Sequence, residues 1–267
     1  VTGASPPALL RLAEGLAHRA GALVEAVRLE AVALGQTKSS LTDHVTEADR
    51  AAEAAITEGI LAVRPDDGVL GEEQGERPGT SGVRWIIDPI DGTTNYLYDI
   101  GAYAVSIAAE RDGVVVAAVV HDPRHDVTFA ACAGGGATRN GQPIRCSDKA
   151  DLPTALVGTG FAYQAQRRAA QADVLAGVLP QVRDIRRIGA ASLDLCAVAC
   201  GRLDAYYEHG LNLWDLAAGW LIALEGGAMV GDLRGGPPTG DVVVAAGPGL
   251  FEPLVALLVG AGADRLA

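Results

Sequence analysis

The sequence predicts an α/β protein in which sheets lie between layers of helix, and three patterns predict it. Apolar residues recur at three- and four-residue steps near the start. Hairpin-linked β-rich runs follow in the middle, and short apolar runs alternate with helical stretches towards the end.

Leu9, Leu12, Leu16, Ala20, Leu23 and Val27 form one apolar stripe, predicting a long first helix that Gly35 ends. After the polar stretch Gln36 to His44, Thr46 is placed to cap a second helix, which Pro65 stops near Val63. Trp85, Ile86 and Ile87 predict a buried strand that ends at the Asp88-Pro89 turn. Tyr103 to Glu110 and Val114 to His121 read as paired strands, because Asp112-Gly113 between them is a strong hairpin signal. A strand over Val127 to Ala131 and a turn region over Gly134 to Gly141 continue the meander. The second half predicts strands at Ala155–Gly158, Asp184–Ile188, Asp204–Glu208 and Val242–Ala246. Helices are expected at Gln164–Leu179, Ala190–Ala199, from Trp214 onward, and at Phe251–Val259. With no internal repeat, the chain reads as one catalytic unit, 1–267, with a soft boundary near Ser147 between lobes 1–147 and 148–267.

Composition narrows the function. A net charge of -12 argues against a nucleic-acid surface, which needs basic patches. No stretch of about 18 uninterrupted apolar residues predicts a membrane span, and the first residues do not look like a signal peptide. Cys132, Cys146, Cys196 and Cys200 lack paired zinc spacing, so the chain reads as a reduced, cytoplasmic protein. Lys38 and Lys149 are the only lysines, against 19 arginines. Gly158-Thr159-Gly160 has Tyr163 where a dinucleotide fingerprint needs its third glycine. An acidic protein repels anionic esters unless bound cations invert the local field, which directs attention to carboxylates.

The densest signal is Asp88-Pro89-Ile90-Asp91-Gly92-Thr93-Thr94-Asn95. It sets two carboxylates and a backbone carbonyl at a strand end, oxygen donors of the kind magnesium prefers. Gly92 and Thr93 add N–H groups able to meet a phosphate oxygen. Asp-Pro and Asp-Gly are also ordinary turn formers, and that alternative competes here. Glu72, after Val69-Leu70, is either another ligand at a strand exit or part of a solvated acidic loop. Asp215 opens an amphipathic run, where a carboxylate can cap the helix, bind a cation or both. Asp49 has a rival role in the capping-box-like Thr46-Glu47-Ala48-Asp49.

In order along the chain, Asp43-His44-Val45-Thr46-Glu47-Ala48-Asp49, Gly71-Glu72-Glu73, the Asp88 to Asn95 loop and Trp214-Asp215-Leu216-Ala217-Ala218-Gly219 closely resemble the inositol monophosphatase family of lithium-sensitive, magnesium-dependent phosphatases. The resemblance implies an αβαβα sandwich of the inositol monophosphatase and fructose-1,6-bisphosphatase type, and hydrolysis of an inositol monophosphate by a metal-activated water. It implies two or three Mg2+ held by Glu72, Asp88, the Ile90 carbonyl, Asp91 and Asp215, with Asp88 bridging. Glu72, Thr93 and Asp49 would serve catalysis, the last two orienting the water and taking its proton. Gly92, Thr93, Ala191 and Glu208 would bind the phosphorylated polyol, and Lys38 would order a loop beside the metals. Homodimerisation and lithium inhibition are further implications. Relatives with the same chemistry act on fructose 1,6-bisphosphate, 3'-phosphonucleotides or histidinol phosphate, and a metal-binding regulator without turnover is a separate alternative. Two departures touch no ligand: His44 stands where the family often has leucine, and Tyr96 replaces a frequent phenylalanine.

Overall fold

The computed structural model describes residues 4–33, 38–238 and 241–266, and the side chains of all of these except 29–33 and 38–46. Two helices lead: α1 (Pro6–Ala33) and α2 (Lys38–Val63). An eight-stranded sheet follows, built from β1 (Gly68–Gly71), β2 (Gly75–Arg77), β3 (Val83–Asp91), β4 (Ala104–Arg111), β5 (Val114–Asp122), β6 (Val127–Cys132), β7 (Ala137–Arg139) and β8 (Gln142–Pro143). Its order is β2-β1-β3-β4-β5-β6-β7-β8, and the short helix α3 (Thr93–Leu97) leaves its third strand. The smaller sheet, in order β10-β9-β11-β13-β12, takes β9 (Leu156–Thr159), β10 (Asp184–Arg186), β11 (Ala205–His209), β12 (Met229–Gly231) and β13 (Val242–Ala246). Between these strands come α4 (Ala165–Val178), α5 (Ala191–Ala199), α6 (Leu213–Glu225) and, last, α7 (Pro248–Gly260).

Three apolar cores divide these elements into five layers. Helices α1 and α2 bury Leu9, Leu16, Ile56 and Ile60 on the outer face of the large sheet, against Trp85, Ile87 and Ile107. Between the sheets, α5 and α6 bury Leu195, Val198, Leu216 and Ile222 against Ile86, Val120 and Tyr206. Helices α4 and α7 close the far side, with Val174, Val178, Leu254 and Leu258 packed on Val157, Tyr207 and Val244. The αβαβα sandwich expected from the resemblance is the fold observed.

Several boundaries differ from expectation. Helix α2 begins at Lys38 rather than at Thr46, since residues 38–45 contain no glycine or proline and propagation adds a hydrogen bond per residue. The buried stripe of α1 runs through Leu9, Ala13, Leu16, Ala17, Ala20 and Val24, so Leu12 and Val27 flank it. Small alanines take the close approach to the sheet. Gly35 lies outside the described residues. The Gly134–Gly141 turn region holds a strand of its own, β7, and β2, β8, β12 and α3 were not expected because two to five residues are too few to show a period.

Strand β3, which carries two of the site's carboxylates, does not stop at Asp88 as expected. It runs on to Asp91 through Pro89, with a register shift against β4 between Asp88 and Asp91. Proline is tolerated because β1 pairs with β3 only as far as Ile87, so no partner there needs its N–H. Trp85 and Ile87 face the outer core and Ile86 the central one. Strict alternation would then send Asp88 inward and Asp91 outward. The extra residue of the bulge resets the phase: Ile90 packs in the outer core, and Asp91 turns inward beside Asp88.

Candidate active site

Three elements bring four carboxylates to one end of the central layer. Asp88 and Asp91 arrive from β3, and Asp215 from the first turn of α6; one oxygen of each lies within 4.8 Å of the others. Glu72 joins them by a different route. Strand β1 runs parallel to β3 with Gly71 beside Ile87, so the next residue leaves the sheet next to Asp88, and its N–H donates to the Ile87 carbonyl at 3.2 Å. All four line a cavity of about 250 Å³, together with Ile90, Gly92, Thr93, Ala191 and Glu208.

Local hydrogen bonds fix each group. Asp88 Oδ1 accepts the Ile90 N–H at 3.0 Å, tightening the bulge. Asp91 receives the start of α5: the Ala191 N–H donates to Oδ1 at 3.2 Å, and the Ser192 N–H and hydroxyl to Oδ2 at 2.7 and 2.5 Å. Asp215 completes a capping box with Asn212, accepting its N–H at 2.7 Å. It therefore caps α6 and faces the cavity at once, both roles the sequence allowed. Gly92 sits at φ 92°, and a Cβ there would come within 2.8 Å of the Ala102 carbonyl oxygen. Only glycine accommodates that bend, which turns the chain from β3 into α3.

Packing like charges out of water raises their proton affinity. Asp88 is held well above the usual carboxylate range by burial and then by Asp91, Glu72 and Asp215. Asp91 rises to about 7 through burial and Asp215, although Ser192 pulls the other way. Glu72 also rises to about 7, chiefly by burial and Asp215, while keeping one side in solvent. In Asp215 burial outweighs the Asn212 bonds and the shift is again upward. Such a cluster needs protons or a cation to be stable, and its donors are all hard oxygens. That set fits a divalent ion of the magnesium type and not a thiolate-bound metal.

The remaining expected residues are placed as follows. Glu208 lies on the central-facing side of β11, two residues after Tyr206, whose hydroxyl donates to Oε2 at 2.5 Å. Burial raises its pKa despite Tyr206 and the nearby Arg187. Asp49 is buried in α2, its carboxyl pushed up to about 8 by burial and by Glu73, Glu72 and Glu53. It is not brought into hydrogen bonding with Thr93, whose hydroxyl donates instead to the Ile90 carbonyl at 3.0 Å. The Lys38 and His44 side chains lie outside the described residues. Tyr96 spends its extra hydroxyl on the Val24 carbonyl of α1 at 2.9 Å, so replacing phenylalanine leaves no orphaned group.

Sequence reasoning missed three residues that build the site. Asn95 donates to the carbonyls of Ala102 and Ile188, at 2.7 and 2.8 Å, tying the α3 loop to the segment that enters α5. His209, which adjoins Glu208 in the chain, is buried and lines the cavity. Glu53 lies one turn past Asp49 and grips the Glu72 turn. The regular spacing of Asp49 and Glu53 on α2 was a signal for the last, but a carboxylate on a helix ordinarily faces solvent.

The model of the inositol monophosphatase family matches residues 7–262. The chain belongs to the inositol monophosphatase family. It is 47% identical to the Inositol-1-monophosphatase of Mycobacterium leprae, across 95% of this chain and 94% of that protein. It is 45% identical to the Inositol-1-monophosphatase SuhB of Mycobacterium tuberculosis H37Rv, over 94% of both. Among solved structures, Mycobacterium tuberculosis SuhB superposes with a TM-score of 0.86 at 43% identity, covering 98% of this chain and 99% of its own. The chain is thus an inositol monophosphatase-type phosphatase, a class that works with divalent metal on small phosphorylated substrates, and the acidic cavity is where its donor set permits such an ion. Among the described residues no helix is long and apolar enough to cross a membrane. The four cysteines are free.

Proposed function

We propose that this phosphatase is magnesium-dependent and hydrolyses an inositol monophosphate. The observation that carries the reading is the convergence of Asp88, Asp91 and Asp215 within 4.8 Å, in a cavity shared with Glu72 and with the polar groups of Gly92, Thr93 and Glu208. Glu72, Asp88, the Ile90 carbonyl, Asp91 and Asp215 are the residues that would hold two or three Mg2+. When bound, the ions supply neutralisation of the phosphoryl charge and acidification of the attacking water.

The chain's own groups do the rest. The N–H groups of Gly92 and Thr93, freed at the start of α3, bind phosphate oxygens. Because the Thr93 hydroxyl donates to Ile90, its lone pairs are left to accept a hydrogen bond from the attacking water and set its direction. Asp49, whose proton affinity burial and the neighbouring glutamates raise towards neutrality, suits the role of proton acceptor. Glu208, in the same cavity, takes hydrogen bonds from ring hydroxyls, braced by Tyr206. The names of the mycobacterial relatives support inositol 1-phosphate as the substrate. The cysteine usage supports a cytoplasmic protein, and the family resemblance supports a homodimer sensitive to lithium.

One observation favours a second substrate. Arg167 and Arg187 line the same cavity, and two cations there suit a second anionic group, as in fructose 1,6-bisphosphate. Phosphate release measured with magnesium chloride across inositol phosphates, fructose 1,6-bisphosphate, 3'-phosphoadenosine 5'-phosphate and histidinol phosphate separates the two. Inositol 1-phosphate is expected to give the highest kcat/KM, and Asp91→Asn to lose at least ~100-fold in turnover. Release that ignores EDTA, or near-normal turnover by Asp91→Asn, refutes the assignment.

A further inference from the structure

Glu53 is buried in α2 at 1% exposure and takes no part in the chemistry proposed above. Its two oxygens accept two successive backbone N–H groups: Oε2 that of Glu73 at 2.8 Å, and Oε1 that of Gln74 at 2.9 Å. These belong to the three-residue turn 72–74, which joins β1 to β2 and carries Glu72. The contact is close enough to dictate sequence nearby. A Cβ on Gly71 would lie 2.3 to 2.5 Å from the Glu53 carboxyl atoms, so the strand can pass over the carboxylate only as glycine. Arg50, one turn earlier on α2, adds an exposed ion pair to Glu73 at 3.6 Å, too weak to hold the turn by itself.

We infer that Glu53 is a positioning residue, a buried clasp that fixes the Glu72 turn against α2 so that the Glu72 carboxylate faces Asp88 and Asp215. The inference rests on the reading of Glu72 as a magnesium ligand. A carboxylate is required because both partners are donors. In Glu53→Gln one acceptor becomes an NH2 group, which sets donor against donor at the turn while conserving volume. Losing one N–H bond releases the turn, and Glu72 then spends binding energy on being ordered before it can hold a cation.

Magnesium chloride binding is measured by calorimetry on the EDTA-stripped protein, next to magnesium activation curves and thermal midpoints in EDTA. Glu53→Gln is expected to weaken Mg2+ at least ~10-fold, with kcat largely recovered at saturating magnesium. A purely structural role would lower the midpoint and leave magnesium affinity alone. Gly71→Ala reaches the same contact from the other side and should reproduce the loss. Glu72→Gln separates the two levels of the argument. If it loses magnesium while Glu53→Gln binds like the wild type, the clasp is refuted. If Glu72→Gln itself binds magnesium normally, the ligand assignment beneath the clasp falls.

Discussion

Stripped of divalent metal, the protein should lose stability as pH rises from 5 to 7, against the usual trend. Asp91 is 6% exposed, and its carboxyl is pushed from 3.8 to about 7 by burial and Asp215. Below pH 4 folded and unfolded chains both hold that proton, and the native state has its full benefit. Between about 4 and 7 the unfolded chain releases the proton and the folded one keeps it, so each pH unit costs about 1.4 kcal/mol. Across the whole window Asp91 alone is worth about 4 kcal/mol, of which about 3 falls between pH 5 and 7. Asp49, pushed up to about 8 mainly by burial, acts in the same direction, while Glu72 is partly exposed and screened and adds less. At roughly 2–4 °C per kcal/mol for a chain of this size, the midpoint in EDTA should fall by about 10 °C from pH 5 to 7. Magnesium replaces the protons and binds better as they leave. At 100 times its dissociation constant it adds about 2.7 kcal/mol and should flatten the curve. Thermal melts in EDTA and in magnesium chloride across this range test it, and Asp91→Asn should remove about one proton's worth of slope. A flat or rising metal-free curve, or equal slopes with and without magnesium, would show that these carboxylates do not repel one another as the fold implies.

Other perturbations separate scaffold from chemistry. Asp67 is fully buried. Burial alone would raise its pKa, but Arg64, Ser81 and Trp85 outweigh it and hold it below the usual range. Asp67→Ala should cost about 3–5 kcal/mol in urea titrations, because it leaves Arg64 and the Trp85 ring N–H unpaired. A loss under 1 kcal/mol would refute that account. A Cβ at Gly160 would lie 2.0 to 2.2 Å from the Glu208 carboxyl atoms. Gly160→Ala should therefore raise KM for inositol 1-phosphate several-fold with magnesium activation unchanged, and an unaltered KM would remove Glu208 from the substrate site. Tyr96→Phe leaves the Val24 carbonyl without the hydroxyl it accepts from, and should cost about 1 kcal/mol with normal kcat; a large fall in kcat would give Tyr96 a chemical role.

The layers were legible where a period lasts long enough to be read. Strand β13 falls at Val242–Ala246 as the apolar run predicts, and the two-residue Asp112-Gly113 turn joins β4 to β5 with both residues at positive φ. Positions that depend on what lies opposite were not legible. The α1 stripe was read mainly through its leucines with Ala20, yet the sheet also selects Ala13 and Ala17, whose small size lets the helix approach. Likewise nothing in the local sequence of His209 shows that the fold buries it at the end of β11, on the cavity wall.

The site divides along the same line. Asp88 and Asp91 were visible because their spacing is local, but what makes them a pair is the bulge, and nothing in Asp-Pro-Ile-Asp states that the strand continues through it. A turn ending the strand at Asp88 would leave the orientation of Asp91 unfixed. A regular strand would send the two carboxylates to opposite faces, one of them into the core against α1 and α2. Proline is tolerated in the extended strand because no partner on its β1 side needs an N–H, and Ile90, packed in the outer core, anchors the shifted phase. The two residues between the aspartates, which read as spacer in the sequence, thus decide that both acids face one cavity. Substituting Ile90 by a polar residue should therefore damage the site more than its single carbonyl would suggest, because the phase of Asp91 depends on that apolar anchor.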